Sequence, residues 1–175
     1  MIPTNHGRIS EMPEITADHY ITDWERNHKT SHISVQDGFK ISSNYVFRRL
    51  VLDHYGDNPQ KFIDRLYGYK LNDAYDFDLE EKGGTKSRVP DPGTSSWSRS
   101  TLPSTAIGYS VMETPLNIVT FYNAIANNGK MMKPYLIESQ EKGGRVVKKF
   151  GPEILNASAF SKATADSLTK ALTMV

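Results

Sequence analysis

No cysteine occurs among the 175 residues, which excludes a disulfide framework, a thiol nucleophile and any thiolate metal site, while leaving oxidising and reducing compartments equally open. No apolar run approaches the ~20 residues needed to cross a bilayer. The opening Met1-Ile2-Pro3-Thr4-Asn5-His6 has neither the basic nor the apolar region of a signal peptide, so the chain is expected to be soluble. Charge of one sign is missing too: 21 basic against 20 acidic residues leave +1, with no Lys/Arg block able to follow a phosphate backbone. Nucleic acid is set aside as a partner. What is present, 38% hydrophobic and 23% charged residues, suits one globular domain with a modest core.

Residues 1–32 have weak periodicity and scattered prolines, and are expected to form an irregular arm with a short turn around Ile21 to Trp24. Ser34-Val35-Gln36-Asp37 resembles a capping box and opens a short helix with Val35, Phe39 and Ile41 on its apolar face. After Ser42-Ser43-Asn44, the residues Phe47, Leu50, Val51 and His54 recur at helical spacing until Tyr55-Gly56. Asn58-Pro59 starts another helix, with Phe62, Ile63 and Leu66 on one side and Gly68 at its end. Residues 68–103, with an acidic stretch from Asp73 to Glu81 and Pro90-Asp91-Pro92-Gly93, read as a long loop of the kind that forms binding edges. Thr114-Pro115 then opens a helix with Val119, Tyr122, Ile125 and Ala126 as its expected buried stripe, stopped at Asn127-Asn128-Gly129. Pro134 to Glu138 and Arg145 to Lys148 flank Gly143-Gly144 and predict a β-hairpin. A last helix runs from about Lys162, and Leu168, Leu172 and Val175 fall on one face with no stop signal after them, as if the helix were cut.

Three patterns could carry chemistry. His28 and His32 stand at the i, i+4 spacing of a zinc pair, but Lys29 occupies the place of the required Glu and no third ligand follows, so no metal is assigned. Ser-x-x-Lys, the sign of a serine nucleophile with a lysine partner, occurs as Ser139-Gln140-Glu141-Lys142 and Ser167-Leu168-Thr169-Lys170. With 16 Ser and 13 Lys in the chain, about one such match arises by chance; the first lies in the hairpin and the second on the polar side of the last helix, and neither is taken as catalytic. Ser42-Ser43-Asn44 fits the Ser-x-Asn element of serine acyl-transfer enzymes, but alone it is equally explained as a helix cap.

The text around that triplet adds specificity. From Ile33 to Phe47 a short helix, Ser-Ser-Asn and a second helix follow in immediate succession. Trp97-Ser98, Ala106-Ile107-Gly108-Tyr109-Ser110, Thr114-Pro115-Leu116-Asn117 and Ala124-Ile125-Ala126-Asn127-Asn128-Gly129-Lys130 come later in series. In order and spacing, these strings resemble the class B penicillin-binding proteins, closest to the division-specific type. The resemblance covers residues 33–175, and 1–32 only loosely.

It implies an α+β fold: the mainly helical portion of a β-lactamase/transpeptidase-like domain, with a small hairpin near 134–148 and most of the central sheet missing. It implies a partial transpeptidase domain over 33–175, in which Ser42 is the candidate proton relay and Asn44 the candidate hydrogen-bonding group for the acyl donor's amide, while Ser43 packs or caps. The family's nucleophile motif should stand upstream of Ser42 and its Lys-Thr-Gly motif beyond the last helix; neither is in place in this sequence, so the chain alone is expected to be inactive. The parent is then expected to be a peptidoglycan D,D-transpeptidase of septal cell-wall synthesis, anchored in the bacterial inner membrane with this domain in the periplasm. No cofactor is implied. The partners implied are peptidoglycan stem peptides, β-lactams and divisome proteins, and apolar helix faces left bare by the missing sheet favour self-association. Two other readings stand beside this one: a non-catalytic interaction module or degenerate pseudo-enzyme in which Ser42 and Asn44 only cap a helix, and, less favoured by the later strings, a β-lactamase.

Overall fold

A computed structural model describes residues 1–3, 32–75 and 87–175. The turn expected around Ile21 to Trp24, the body of the irregular arm, most of the acidic stretch and Gly83-Gly84 lie outside the described residues. The elements are β1 (Ile2–Pro3), β2 (His32–Ile33), α1 (Val35–Lys40), α2 (Asn44–Tyr55), α3 (Pro59–Gly68), α4 (Thr101–Thr105), α5 (Pro115–Ala126), β3 (Met131–Met132), β4 (Ser139–Lys142), β5 (Arg145–Lys149), β6 (Ile154–Asn156) and α6 (Lys162–Leu172). The described strands form three two-stranded antiparallel sheets, β1 with β2, β3 with β6 and β4 with β5. The chain divides into two compact units, one made of Met1–Asp64, Val89–Val111 and Lys170–Val175, the other of Arg65–Arg88 and Met112–Thr169.

In the first unit, β1 pairs with β2 and brings Ile2 against Ile33, Tyr45 and Val46, with Ile41, Leu50 and Leu52 packed around them. The Tyr45 hydroxyl donates to the Pro3 carbonyl at 2.6 Å, so a buried phenol is satisfied where it leaves the apolar cluster. That cluster fixes which side of α2 turns inward: Tyr45, Val46, Arg48 and Val51 are buried, while His54, expected on the apolar face, is exposed. On α1 the expected apolar Val35 is exposed and Gly38 is the buried residue, because the Val46 side chain of α2 packs directly against its backbone. Phe39 instead meets Phe47 edge-on, with ring centres 6.1 Å apart. Within the segment expected to be a loop to 103, α4 begins at Thr101 and packs on α2 through buried Leu102 and Pro103. Five residues are too few for a helical period to register.

In the second unit, α5 starts as expected: Thr114 caps it, accepting the Asn117 N–H at 3.2 Å, with Pro115 in the first turn. It stops as expected too, where the Gly129 N–H reaches the Ala124 carbonyl at 2.7 Å across the left-handed Asn128. Its buried stripe differs from the expected one. Ile125 is buried, but Val119 and Tyr122 are 53% and 49% exposed and Ala126 is exposed; the inward face is Asn117, Thr120, Ala124 and Ile125. Apolar residues surround most of this helix, so their period does not choose a face, and satisfied polar groups can turn inward. Asn117 donates to the carbonyls of Lys70 and Asp73 at 3.0 and 2.9 Å, and Thr120 donates to Leu116 at 2.8 Å. The rings of Tyr69, Phe121 and Phe160, with centres 5.0 to 5.5 Å apart, close the core beside buried Met131.

The hairpin forms around Gly143-Gly144, whose φ values of +59° and +74° make a two-residue turn. Pairing starts at the turn, Lys142 with Arg145, and runs back to Ser139 with Lys149, so the first strand is Ser139–Lys142 and not the expected Pro134 to Glu138. Turn geometry sets the register here, and the apolar Tyr135-Leu136-Ile137 lies outside it. The last helix begins at Lys162 as read, buries Ala165 and ends at Leu172. Val175, expected on its inward face, is 74% exposed and lies past the helix's last residue, Leu172.

Candidate active site

Ser42-Ser43-Asn44 is the elbow between α1 and α2. The Ile41 N–H closes α1 on the Asp37 carbonyl at 3.1 Å, and the Ser42 N–H bonds the Phe39 carbonyl at 3.0 Å. Ser42 is exposed and left-handed, with φ of +55°. Ser43 returns to extended backbone, is 1% exposed and caps α2 by accepting the Val46 N–H at 3.3 Å. Asn44 is the first residue of α2 and is half-buried. The capping role therefore belongs to Ser43, the middle residue, leaving Ser42 at the surface and Asn44 at the helix start. A hydroxyl and a carboxamide two residues apart supply one proton-transfer group and one group that both donates and accepts.

Arg48, one turn along α2 and unremarked in the sequence, is buried. Burial pulls its guanidinium below the usual arginine value, and the Tyr109 phenol acts in the opposite sense. The only sequence signal for it is a cation at helical spacing from Asn44, which surface helices show routinely.

The two Ser-x-x-Lys candidates lie where the sequence reading put them, in the hairpin and on the last helix. Ser139 pairs across the hairpin with Lys149, and Lys142 stands at the turn. Ser167 is exposed on α6 and donates to the Ala163 carbonyl at 2.8 Å. His32 is exposed in β2, and His28 lies outside the described residues. Among the described residues, no group of three or more His, Cys, Asp or Glu is placed to hold a metal.

A polar cluster that the sequence did not announce lies in the second unit. Ser87 accepts the Thr114 N–H at 3.2 Å and hydrogen-bonds Glu113, whose Oε2 is buried and makes no hydrogen bond among the described residues. Burial raises the Glu113 carboxyl, against the opposing pull of Ser87. The Tyr75 phenol is likewise raised by burial, lowered by its hydrogen bond to Thr120, and raised further by Asp73 and Glu113. No period or motif marks these residues, since they come together from 73–75, 87 and 113–120.

Comparison with known proteins gives the following. The family model described as the penicillin binding protein transpeptidase domain matches residues 4–175. A search of curated protein sequences gives no match. Among solved structures, penicillin-binding protein A from M. tuberculosis, as a ceftriaxone acyl-enzyme complex, is similar at TM-score 0.70 and 21% identity, over 84% of this chain and 31% of that one. Penicillin-binding protein 3 from M. tuberculosis, complexed with aztreonam, is similar at TM-score 0.66 and 24% identity, over 79% of this chain and 29% of that one. A peptidoglycan glycosyltransferase from Burkholderia ambifaria gives TM-score 0.65 and 18% identity, over 85% of this chain and 42% of that one. At these identities the likeness shows the fold, and the chain spans less than half the length of each of these structures.

Proposed function

Because the chain belongs to the penicillin-binding protein transpeptidase family, we propose that it is part of a peptidoglycan D,D-transpeptidase that transfers the acyl group of D-Ala-D-Ala stem peptides through a serine ester. The observation that carries this reading is the family match over residues 4–175, with Ser42-Ser43-Asn44 at an exposed elbow inside it. A serine from outside this chain attacks the peptide carbonyl, the C–N bond breaks, and the serine proton leaves with the departing D-Ala amine. Ser42 is the relay hydroxyl on that proton's path, and Asn44 holds the donor's amide by giving and accepting hydrogen bonds. Loss of the Ser42 hydroxyl should slow acylation by about 10²- to 10⁴-fold, the worth of a positioned proton-transfer group.

The sequence holds neither a Ser-x-x-Lys upstream of Ser42 nor a Lys-Thr-Gly, so the 175 residues alone are inactive in this reading. The parent works in septal synthesis among divisome proteins, reacts with β-lactams, and is held in the inner membrane with this domain on the periplasmic side. None of the described helices is long and apolar enough to cross a membrane. The alternative in which Ser42 and Asn44 only cap a helix loses its specific support, because Ser43 supplies the cap.

A fluorescent penicillin tests the reading. The full-length protein should become covalently labelled and the isolated chain should not. Labelling of the isolated chain would overturn its incompleteness; an unlabelled full-length protein beside a labelled homologue would overturn the enzyme assignment.

A further inference from the structure

We infer that Gly38 and Ser43 are positioning residues for the Ser42-Asn44 pair, an assignment that rests on the acyl-transfer reading above. The starting observation is Ser42's φ of +55°, a conformation that residues with a side chain adopt only when the surroundings over-determine it. Three contacts do so. The Ser42 N–H is held by the Phe39 carbonyl at 3.0 Å, the Ser43 N–H by the Gly38 carbonyl at 2.8 Å, and the Ser43 hydroxyl is held in turn by the Val46 N–H at 3.3 Å. Both backbone acceptors belong to α1 and both donors to the elbow, so the elbow is bonded to the last turn of the helix before it.

Gly38 makes that approach possible. Its own φ lies outside the left-handed region, so glycine is not needed for backbone freedom. It is needed for space: a Cβ at this position would stand 2.7 Å from both Cγ atoms of Val46, closer than such atoms come in real structures. Val46 cannot retreat, being fully buried in the cluster with Ile2, Ile33 and Tyr45. The Gly38–Val46 contact therefore sets the separation of α1 and α2, and with it the length of the Ser43-to-Gly38 hydrogen bond and the left-handed turn at Ser42. Ser43, 1% exposed, is sealed inside the contact, which separates its bracing role from the exposed hydroxyl of Ser42.

The test is acylation of the full-length protein by a fluorescent penicillin, resolved into binding and chemical step, alongside thermal melting. Gly38→Ala should slow the chemical step about tenfold to a hundredfold at temperatures where the protein stays folded, as small misplacements of reacting groups do, with little change in binding. Adding Val46→Ala makes room for the new methyl group and should restore most of the rate. Val46→Ala alone, which loosens the same contact without adding a clash, should lower the melting temperature and slow the chemical step less than Gly38→Ala does. Ser43→Ala should act as Gly38→Ala does, and Ser43→Thr, which keeps the capping hydroxyl, should recover part of the rate. If Gly38→Ala lowers only the melting temperature, or Val46→Ala fails to rescue it, the positioning role is overturned. Ser42→Ala run in parallel separates the two levels: full activity in Ser42→Ala overturns the relay reading itself, whereas a slow Ser42→Ala beside a normal Gly38→Ala overturns only the inference made here.

Discussion

Asn117 illustrates how one buried amide holds a loop. It is 2% exposed, both protons of its Nδ2 are spent on the carbonyls of Lys70 and Asp73, and its Oδ1 takes the hydroxyl of Thr114. Removing it takes a donor from both carbonyls, of which Lys70's keeps the Asp73 N–H at 3.3 Å, so Asn117→Ala should cost about 1–3 kcal/mol, measured by urea unfolding, and Thr114→Ala about 1 kcal/mol through the lost cap. Because the two side chains bond each other, the double variant should cost less than the sum, and additivity would show that they act separately. Glu113 gives a prediction with a pH sign. Its folded carboxyl is raised by burial, so the folded state holds its proton over a pH range where the unfolded chain has released it. Folding is then favoured as pH falls from the raised value towards the ordinary 4.5, and the burdened charged form is what the fold carries at neutral pH. Glu113→Gln should therefore raise the melting temperature at pH 7 and lose that advantage as the pH approaches 4.5. A variant advantage that is flat with pH, or grows on acidification, would contradict the assignment.

At the scale of elements, the hairpin is the clearest case of local control. Every residue of β5 is exposed, so no packed face fixes the register, and the pairing rests on the turn at Gly143-Gly144. Replacing both glycines by Val should abolish amide-exchange protection at Lys142 and Arg145 yet shift global stability by no more than about 0.5 kcal/mol, as surface changes do. A global loss well beyond that would mean the hairpin carries packing energy. This case also shows what was legible. The start and stop of α5, the caps of α1 and α2, and the turn between β4 and β5 follow from residues whose chemistry acts within four positions. Which face of α5 turns inward depends on the carbonyls of Lys70 and Asp73, far away in the sequence, and that Gly38 is the buried residue of α1 depends on Val46 in the next helix. For the candidate site, Ser42 and Asn44 were legible through the resemblance, and Ser43's cap through its place before the helix. Gly38, Arg48 and the cluster around Glu113 were not, because each gains its meaning from a contact that no local pattern encodes.

For the whole molecule, the consequence of carrying part of a domain falls on α5. Ile118, Val119 and Tyr122 are 44%, 53% and 49% exposed on a helix whose opposite side is already buried. A helix whose inner side is already packed and whose outer side is apolar offers a face suited to a partner, and in the isolated chain that outer face meets water. At roughly 25 cal/mol per Å² of apolar surface, covering a few such side chains is a substantial gain for any self-contact that achieves it. Sedimentation velocity of the isolated chain should therefore show concentration-dependent association. Val119→Glu places a charge in the centre of that face without disturbing the inward residues, and should return the chain to a monomer with an unchanged melting temperature. Added salt should leave the association of the unmodified chain intact, since apolar burial and not ion pairing drives it. A chain that stays monomeric at every concentration, or an association that Val119→Glu leaves untouched, would show that this face is not the adhesive one.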